Sequence, residues 1–99
     1  MTHDEFDKLL ERRIELITDV LASKACEYAD GEDRLYNFKR AARIGETTPA
    51  KALKGMLLKH LVCVFDLIDL EASNTKLIDE KLGDTINYLI LLEALLKEK

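Results

Sequence analysis

Glu80, Asp84 and Asn87 stand four and three positions apart, the spacing that stacks side chains on one face of a helix. With Glu80 as zero, Asp84 falls at about 40° and Asn87 at about 340°. Leu77, Leu91, Ala94 and Leu95 share that sector. Asp79, Glu93 and Lys97 occupy a separate sector at about 220° to 260°, the ordinary solvated face. The helix therefore carries a second polar strip with large apolar neighbours. The preceding helix repeats this: with Lys59 as zero, Cys63 lies at about 40° and Asp66 at about 340°, and His60 stands one step of about 100° away.

Three chemistries suit these types. Asp66, Glu80 and Asp84 together are enough for one Mg²⁺, which is content with one or two carboxylates plus water and phosphate. Lys59 beside them pairs with an acid or with a phosphate. Between the first two helices, Glu32 to Lys39 packs charges, amides and aromatics into one short segment. Arg34 there can grip a phosphate through two parallel hydrogen bonds, with Lys39 as a further cation and Tyr36 or Phe38 to stack on a base. Asn37 and Asn87 read polar edges. On the first helix, Arg13, Lys24 and Tyr28 share a sector with Phe6, Ile17 and Leu21. Two readings stay open at this point: a small-molecule site between facing helices, or a polar network that fixes helix register or pairs charges across an oligomer interface.

The elements that carry these residues are helices. Thr2, with Glu5 three residues on, opens the first as a capping box. Its apolar stripe runs Phe6, Leu9, Leu10, Ile14, Ile17, Leu21, Ala25 and Tyr28, and it ends near Asp30-Gly31, a turn pair. A short second helix spans about Asp33 to Ile44 and closes on Gly45 as the residue past its end. Thr47-Thr48-Pro49 reads as a cap followed by proline in the first turn, opening a third helix that runs to Leu70. That helix is apolar almost all round, so it is expected to be the central, most buried one. A polar loop follows, and the fourth helix runs from about Lys76 to Lys97. Gly55 and Gly83 sit inside helices, where each costs about 1 kcal/mol against alanine, so each is expected to admit a close neighbour. The expectation is an all-α, four-helix antiparallel bundle of three long helices and one short, residues 1–99 forming a single domain.

Composition narrows the function. Of the 99 residues, 47% are hydrophobic and 34% charged, with one Pro and four Gly, a globular and helix-forming balance. The net charge of −4 argues against a bulk grip on DNA or RNA, which needs a basic face. Apolar runs such as Leu61 to Phe65 fall far short of the ~20 residues of a membrane span. The acidic start, Met1-Thr2-His3-Asp4-Glu5, is unlike a secretory leader, so a cytoplasmic setting is expected. Cys26 and Cys63 are isolated and are read as reduced core residues. A chain this small is marginal alone, so a homodimer or higher oligomer is expected.

Glu80-Lys81-Leu82-Gly83-Asp84-Thr85-Ile86-Asn87-Tyr88-Leu89 resembles the second acidic motif of the all-α NTP pyrophosphohydrolases, the MazG-like and dimeric dUTPase-like group. In that group an acidic residue and an Asp on one helix face hold Mg²⁺ against the nucleotide's phosphates. Over most of its length the chain resembles small proteins of bacteriophages and prophages, some grouped as a nucleotide-modification-associated domain. The residues carrying that likeness are Lys24, Tyr28, Asp33-Arg34, Asn37-Phe38-Lys39, Lys59-His60, Asp66, Glu80, Asp84 and Asn87-Tyr88. The MazG-like EExxE motif has no counterpart: the third helix offers Lys59 and His60, with Asp66 its one mid-helix acid.

Together these imply a phage-type protein, acting in a bacterial host, that binds a small nucleotide or nucleotide-derived signal and sequesters it without turnover. Lys24, Tyr28, Arg34, Asn37, Lys39, Lys59, His60, Asn87 and Tyr88 are the ligand candidates, and Asp66, Glu80 and Asp84 the Mg²⁺ candidates. Catalytic residues are not assigned. The alternatives are a Mg²⁺-dependent nucleotide pyrophosphohydrolase and a structural or protein-interaction module with a buried polar network.

Overall fold

The computed structural model describes residues 1–23 and 33–98. It is all-α, with four α-helices and no strand among the described residues: α1 (His3–Thr18), α2 (Tyr36–Ile44), α3 (Pro49–Asp69) and α4 (Thr75–Lys97). A π-helical turn over Asp19–Ser23 extends α1. Just before it, Thr18 Oγ1 donates to the Ile14 carbonyl at 2.9 Å, a back-bond that loosens and bends helices. The expected end of the first helix at Asp30-Gly31, and with it Lys24, Cys26 and Tyr28, lies outside the described residues.

Local chemistry sets the helix starts. Thr2 Oγ1 accepts from the Glu5 amide at 3.1 Å, Thr48 Oγ1 from Lys51 at 3.3 Å, and Asn74 Oδ1 from Leu77 at 3.1 Å. Each satisfies an amide that the first turn leaves unpaired. α2 starts three residues later than the sequence suggests. Asp33 Oδ1 accepts from the Leu35 amide at 3.0 Å and the Asp33 carbonyl from Tyr36 at 3.1 Å, so a side-chain turn competes with helix there. Gly45 is not the left-handed residue expected past the end of α2: its φ is −85°, and Glu46 takes the positive angle, at 53°.

α3 and α4 pack as an antiparallel pair. Leu53 and Leu95 share the core, Met56 meets Tyr88, and His60 meets Asp84, so contacts run in opposite order along the two helices. α2 lies across this pair, and Leu35 and Phe38 close over Leu53, which is 0% exposed, and Leu95. Leu57, Tyr88, Leu91 and Leu92 pack around that cluster. α1 rests on α4 through Arg13, whose guanidinium bonds the Asp79 carbonyl at 3.3 Å and approaches its carboxylate at 3.5 Å. Gly83 makes room for it: a Cβ there would stand 2.7 Å from Arg13 Nη1. Gly55, by contrast, has nothing within 4 Å of where a Cβ would sit.

Two burial expectations are corrected. α3 is two-faced, not buried all round: Leu53 is its one buried residue, while Leu58, Val62, Phe65 and Ile68 are exposed. No described residue of α1 is buried, and Phe6, Leu9, Leu10 and Ile14 face outward. The physical reason is supply: among the described residues one short helix and α4 cover one side of α3, and α1 packs on α4. No helix among the described residues is long and apolar enough to cross a membrane.

Lys39 ties the start of α2 to the end of α4. Its ammonium bonds Asp33 at 2.7 Å and also bonds the Glu98 carboxylate. The hydrogen bond from Lys39, then that from the Leu35 amide, holds the Asp33 carboxyl below its ordinary value of 3.8. Bonds to Asp33 and Glu98 hold Lys39 above its ordinary value of 10.5. Stability from Asp33 is therefore complete above its ordinary value and lost as pH falls through the lowered one. That from Lys39 is complete below its ordinary value and lost as pH rises through the raised one. Melting curves from neutral pH down to about pH 3 are expected to show an acid-dependent fall in Tm that is smaller in Asp33→Asn than in wild type.

Candidate functional site

Thr85 and Asn87 are the buried polar side chains among the described residues of α4, and they differ in one respect. Thr85 Oγ1 donates to the Lys81 carbonyl of its own helix at 3.0 Å. Asn87, 8% exposed, has an Oδ1 with no hydrogen-bond partner among the described residues. An unsatisfied buried acceptor costs about 1–3 kcal/mol, so this atom calls for an explanation.

Asn87 lines a cleft of about 330 Å³, within the size range of small-molecule sites. α4 contributes Asp84, Asn87, Tyr88 and Leu91; α2 and the turn before it contribute Arg34, Asn37 and Phe38; Met56 and Val20 close the sides. Tyr88 is held on three sides. Its ring tilts against His60 with centroids 4.7 Å apart and takes the edge of Phe38 at 6.4 Å, and its hydroxyl lies 4.0 Å from the Met56 sulfur. His60 Nδ1 stands 3.9 Å from Asp84 Oδ2. Arg34 makes no ion pair or hydrogen bond among the described residues, so its guanidinium is free to meet an anion at the cleft.

A second cleft, of about 520 Å³, adjoins the first and shares Val20, Asp84 and Asn87 with it. It brings Arg12, Arg13 and Lys76 from α1 and the start of α4 toward Asp79 and Glu80. The π-helical turn places Val20 at the junction of the two clefts, a common use of such turns near functional sites.

The structure thus brings together Arg34, Asn37, Asp84, Asn87 and Tyr88, with His60 behind Tyr88 and Glu80 in the adjoining cleft. It does not bring Asp66 to them. Asp66 lines a separate cleft of about 210 Å³ with Cys63, Leu70, Leu77 and Lys81. The register that sets His60 opposite Asp84 leaves Asp66 level with Leu77, and positions on a wheel carry no such axial information. Among the described residues no group of three His, Cys, Asp or Glu side chains is placed to hold a metal ion, so the expected set of Asp66, Glu80 and Asp84 does not converge. Lys59 is exposed and lines neither cleft, and Lys39 is engaged by Asp33 and Glu98 in another crevice. Lys24 and Tyr28 lie outside the described residues.

Met56, Val20, Arg12 and Lys76 were not legible as site residues. Met56 stands one helical turn before His60 and its type suits core filling equally well, while Val20 carries no chemical signal at all. The chain matches no family model, no curated protein and no solved structure.

If Asn87 were part of a structural polar network, replacing it would weaken the fold. With its Oδ1 unpartnered, Asn87→Leu is instead expected to leave the urea midpoint unchanged or raise it. A loss of about 1–3 kcal/mol would show the amide to be structurally engaged.

Proposed function

We propose that this chain binds a small nucleotide or nucleotide-derived compound in the paired clefts around Asn87 and holds it without turnover. The unpartnered, buried Asn87 Oδ1 carries the reading. It accepts from an exocyclic amino or ring N–H of a base, the edge that amide side chains read well. Asn37 supplies a further amide to the same edge. Tyr88, already braced by His60 and Phe38, offers an aromatic surface whose ordering entropy is spent in the free protein. Arg34 takes a phosphate through charge-assisted hydrogen bonds, and Arg12 and Lys76 extend the positive charge into the adjoining cleft. Asp84, at the junction, accepts from sugar hydroxyls.

The likeness to small phage and prophage proteins supports sequestration of a nucleotide signal in a bacterial cytoplasm as the biological use. Within this reading the four helices form an antiparallel bundle and the chain works as a homodimer or higher oligomer. Because Asp66 stands apart from Glu80 and Asp84, binding is assigned to the cationic and amide groups, with Mg²⁺ as at most a companion of the ligand's phosphates.

The test is a thermal-shift screen against nucleotides, cyclic dinucleotides and ADP-ribose derivatives, with and without Mg²⁺. A true ligand at a hundredfold its Kd is expected to stabilise by about 2.7 kcal/mol. Arg34→Ala is expected to weaken phosphate-bearing ligands by about 1.5–3 kcal/mol, and Asn87→Leu to weaken them without loss of stability. Release of pyrophosphate from a nucleoside triphosphate, dependent on Mg²⁺ and lost in Glu80→Gln or Asp84→Asn, would replace the binder by the pyrophosphohydrolase. No shift with any member of the panel would leave the interaction module.

A further inference from the structure

α3 turns a second apolar face outward. Leu58, Val62, Phe65 and Ile68 are 52%, 58%, 56% and 66% exposed, and they form a stripe at three- and four-residue steps on the side away from Leu53. The whole chain exposes 7551 Å², where a compact monomer of 11.3 kDa exposes about 5,700 Å². Its radius of gyration is 15.4 Å against about 12.6 Å for a compact chain of this length. The excess surface, roughly 1,800 Å², is more than the about 800 Å² that each partner buries in a standard interface.

The charges beside the stripe identify what covers it. Lys51 and Lys54 flank its start, Asp66 and Asp69 its end, and all four are exposed. A helix that is positive at one end and negative at the other, with an apolar middle, complements a second copy of itself only when that copy runs in the opposite direction. Gly55 adds an independent mark. It lies at the edge of the stripe with open space over it, although alanine is the better helix former at such a position.

We infer that α3 is the seam of an antiparallel homodimer, related by a twofold axis near residue 60. This register sets Leu58 against Val62 of the partner subunit, and Lys51 against Asp69 of the partner subunit. The space over Gly55 then receives Phe65 of the partner subunit. The inference deepens the self-association proposed above and is independent of the nucleotide reading, since the clefts around Asn87 open beside the opposite face of α3.

Sedimentation velocity at micromolar concentration tests it. The wild type is expected to sediment at twice its chain mass. Lys51→Glu with Lys54→Glu, and separately Asp66→Lys with Asp69→Lys, are expected to weaken the dimer at least tenfold while helicity by circular dichroism is kept. All four substitutions in one chain restore opposite charges only in the antiparallel arrangement and are expected to recover the dimer. A wild-type chain that stays monomeric overturns the inference with no variant needed. So does a dimer that the paired substitutions leave intact or the fourfold exchange fails to recover.

Discussion

The antiparallel seating of α4 on α3 fixes the rest of the molecule. Once Leu53 and Leu95 share a core and Tyr88 lies against Met56 and His60, every other level of the two helices is determined. α2 can then cap only one end of the pair, where Phe38 closes over Leu53. α1 lies against α4 where Arg13 settles over Gly83, and its π-helical extension brings Val20 to the cleft lined by Phe38 and Met56. Close packing leaves little room for adjustment: a slip of one turn would remove Tyr88 from both of its ring neighbours at once.

The clefts follow from this geometry. Four elements of unequal length meet around the middle of α4, and the gap they leave is lined by residues that the sequence would otherwise have buried or spread over the surface. Asn87 faces that gap because its sector of the helix is the one turned toward α1 and α2. Its neighbours on the same face are Asp84, one turn earlier, and Leu91, one turn later. The same shortage of covering elements leaves the far side of α3 bare. The cleft around Asn87 and the exposed apolar stripe of α3 thus have one origin, a chain with more helix surface than its own helices can cover.

Much of the local structure was legible from sequence. Thr2, and Thr48 with Pro49, mark helix starts through side-chain acceptors that act within one turn, so no tertiary knowledge was required. The inward sector of α4 was legible in part: Asn87 and Leu95 are buried and Asp84 and Leu91 half-buried, while Leu77, Glu80 and Ala94 of the same sector are exposed. Three things were not. The axial register between helices, which separates Asp66 from Glu80 and Asp84, is set by packing and has no signature in periodicity. The engagement of Lys39 depends on Glu98 at the far end of the chain. The exposure of Phe6, Leu9, Leu10 and Ile14 is invisible to a wheel, which shows that a face is apolar and not what covers it. The start of α2 was missed for a local reason, the Asp33 side-chain turn outcompeting the first helical turn.

Asn87 is the point at which the proposed function is most exposed, because its buried acceptor has no partner among the described residues and the proposal gives it one in the ligand. The direct measurement is a titration of isotope-labelled protein followed through its side-chain amide and guanidinium resonances. With a bound nucleotide, the account predicts that the Asn87 amide and the Arg34 Nε signals move together and saturate at one ligand per chain, with Asn37 and the Tyr88 ring following. Saturating perturbations confined to residues elsewhere, such as Lys39 or Lys59, with the Asn87 amide unmoved, would contradict it.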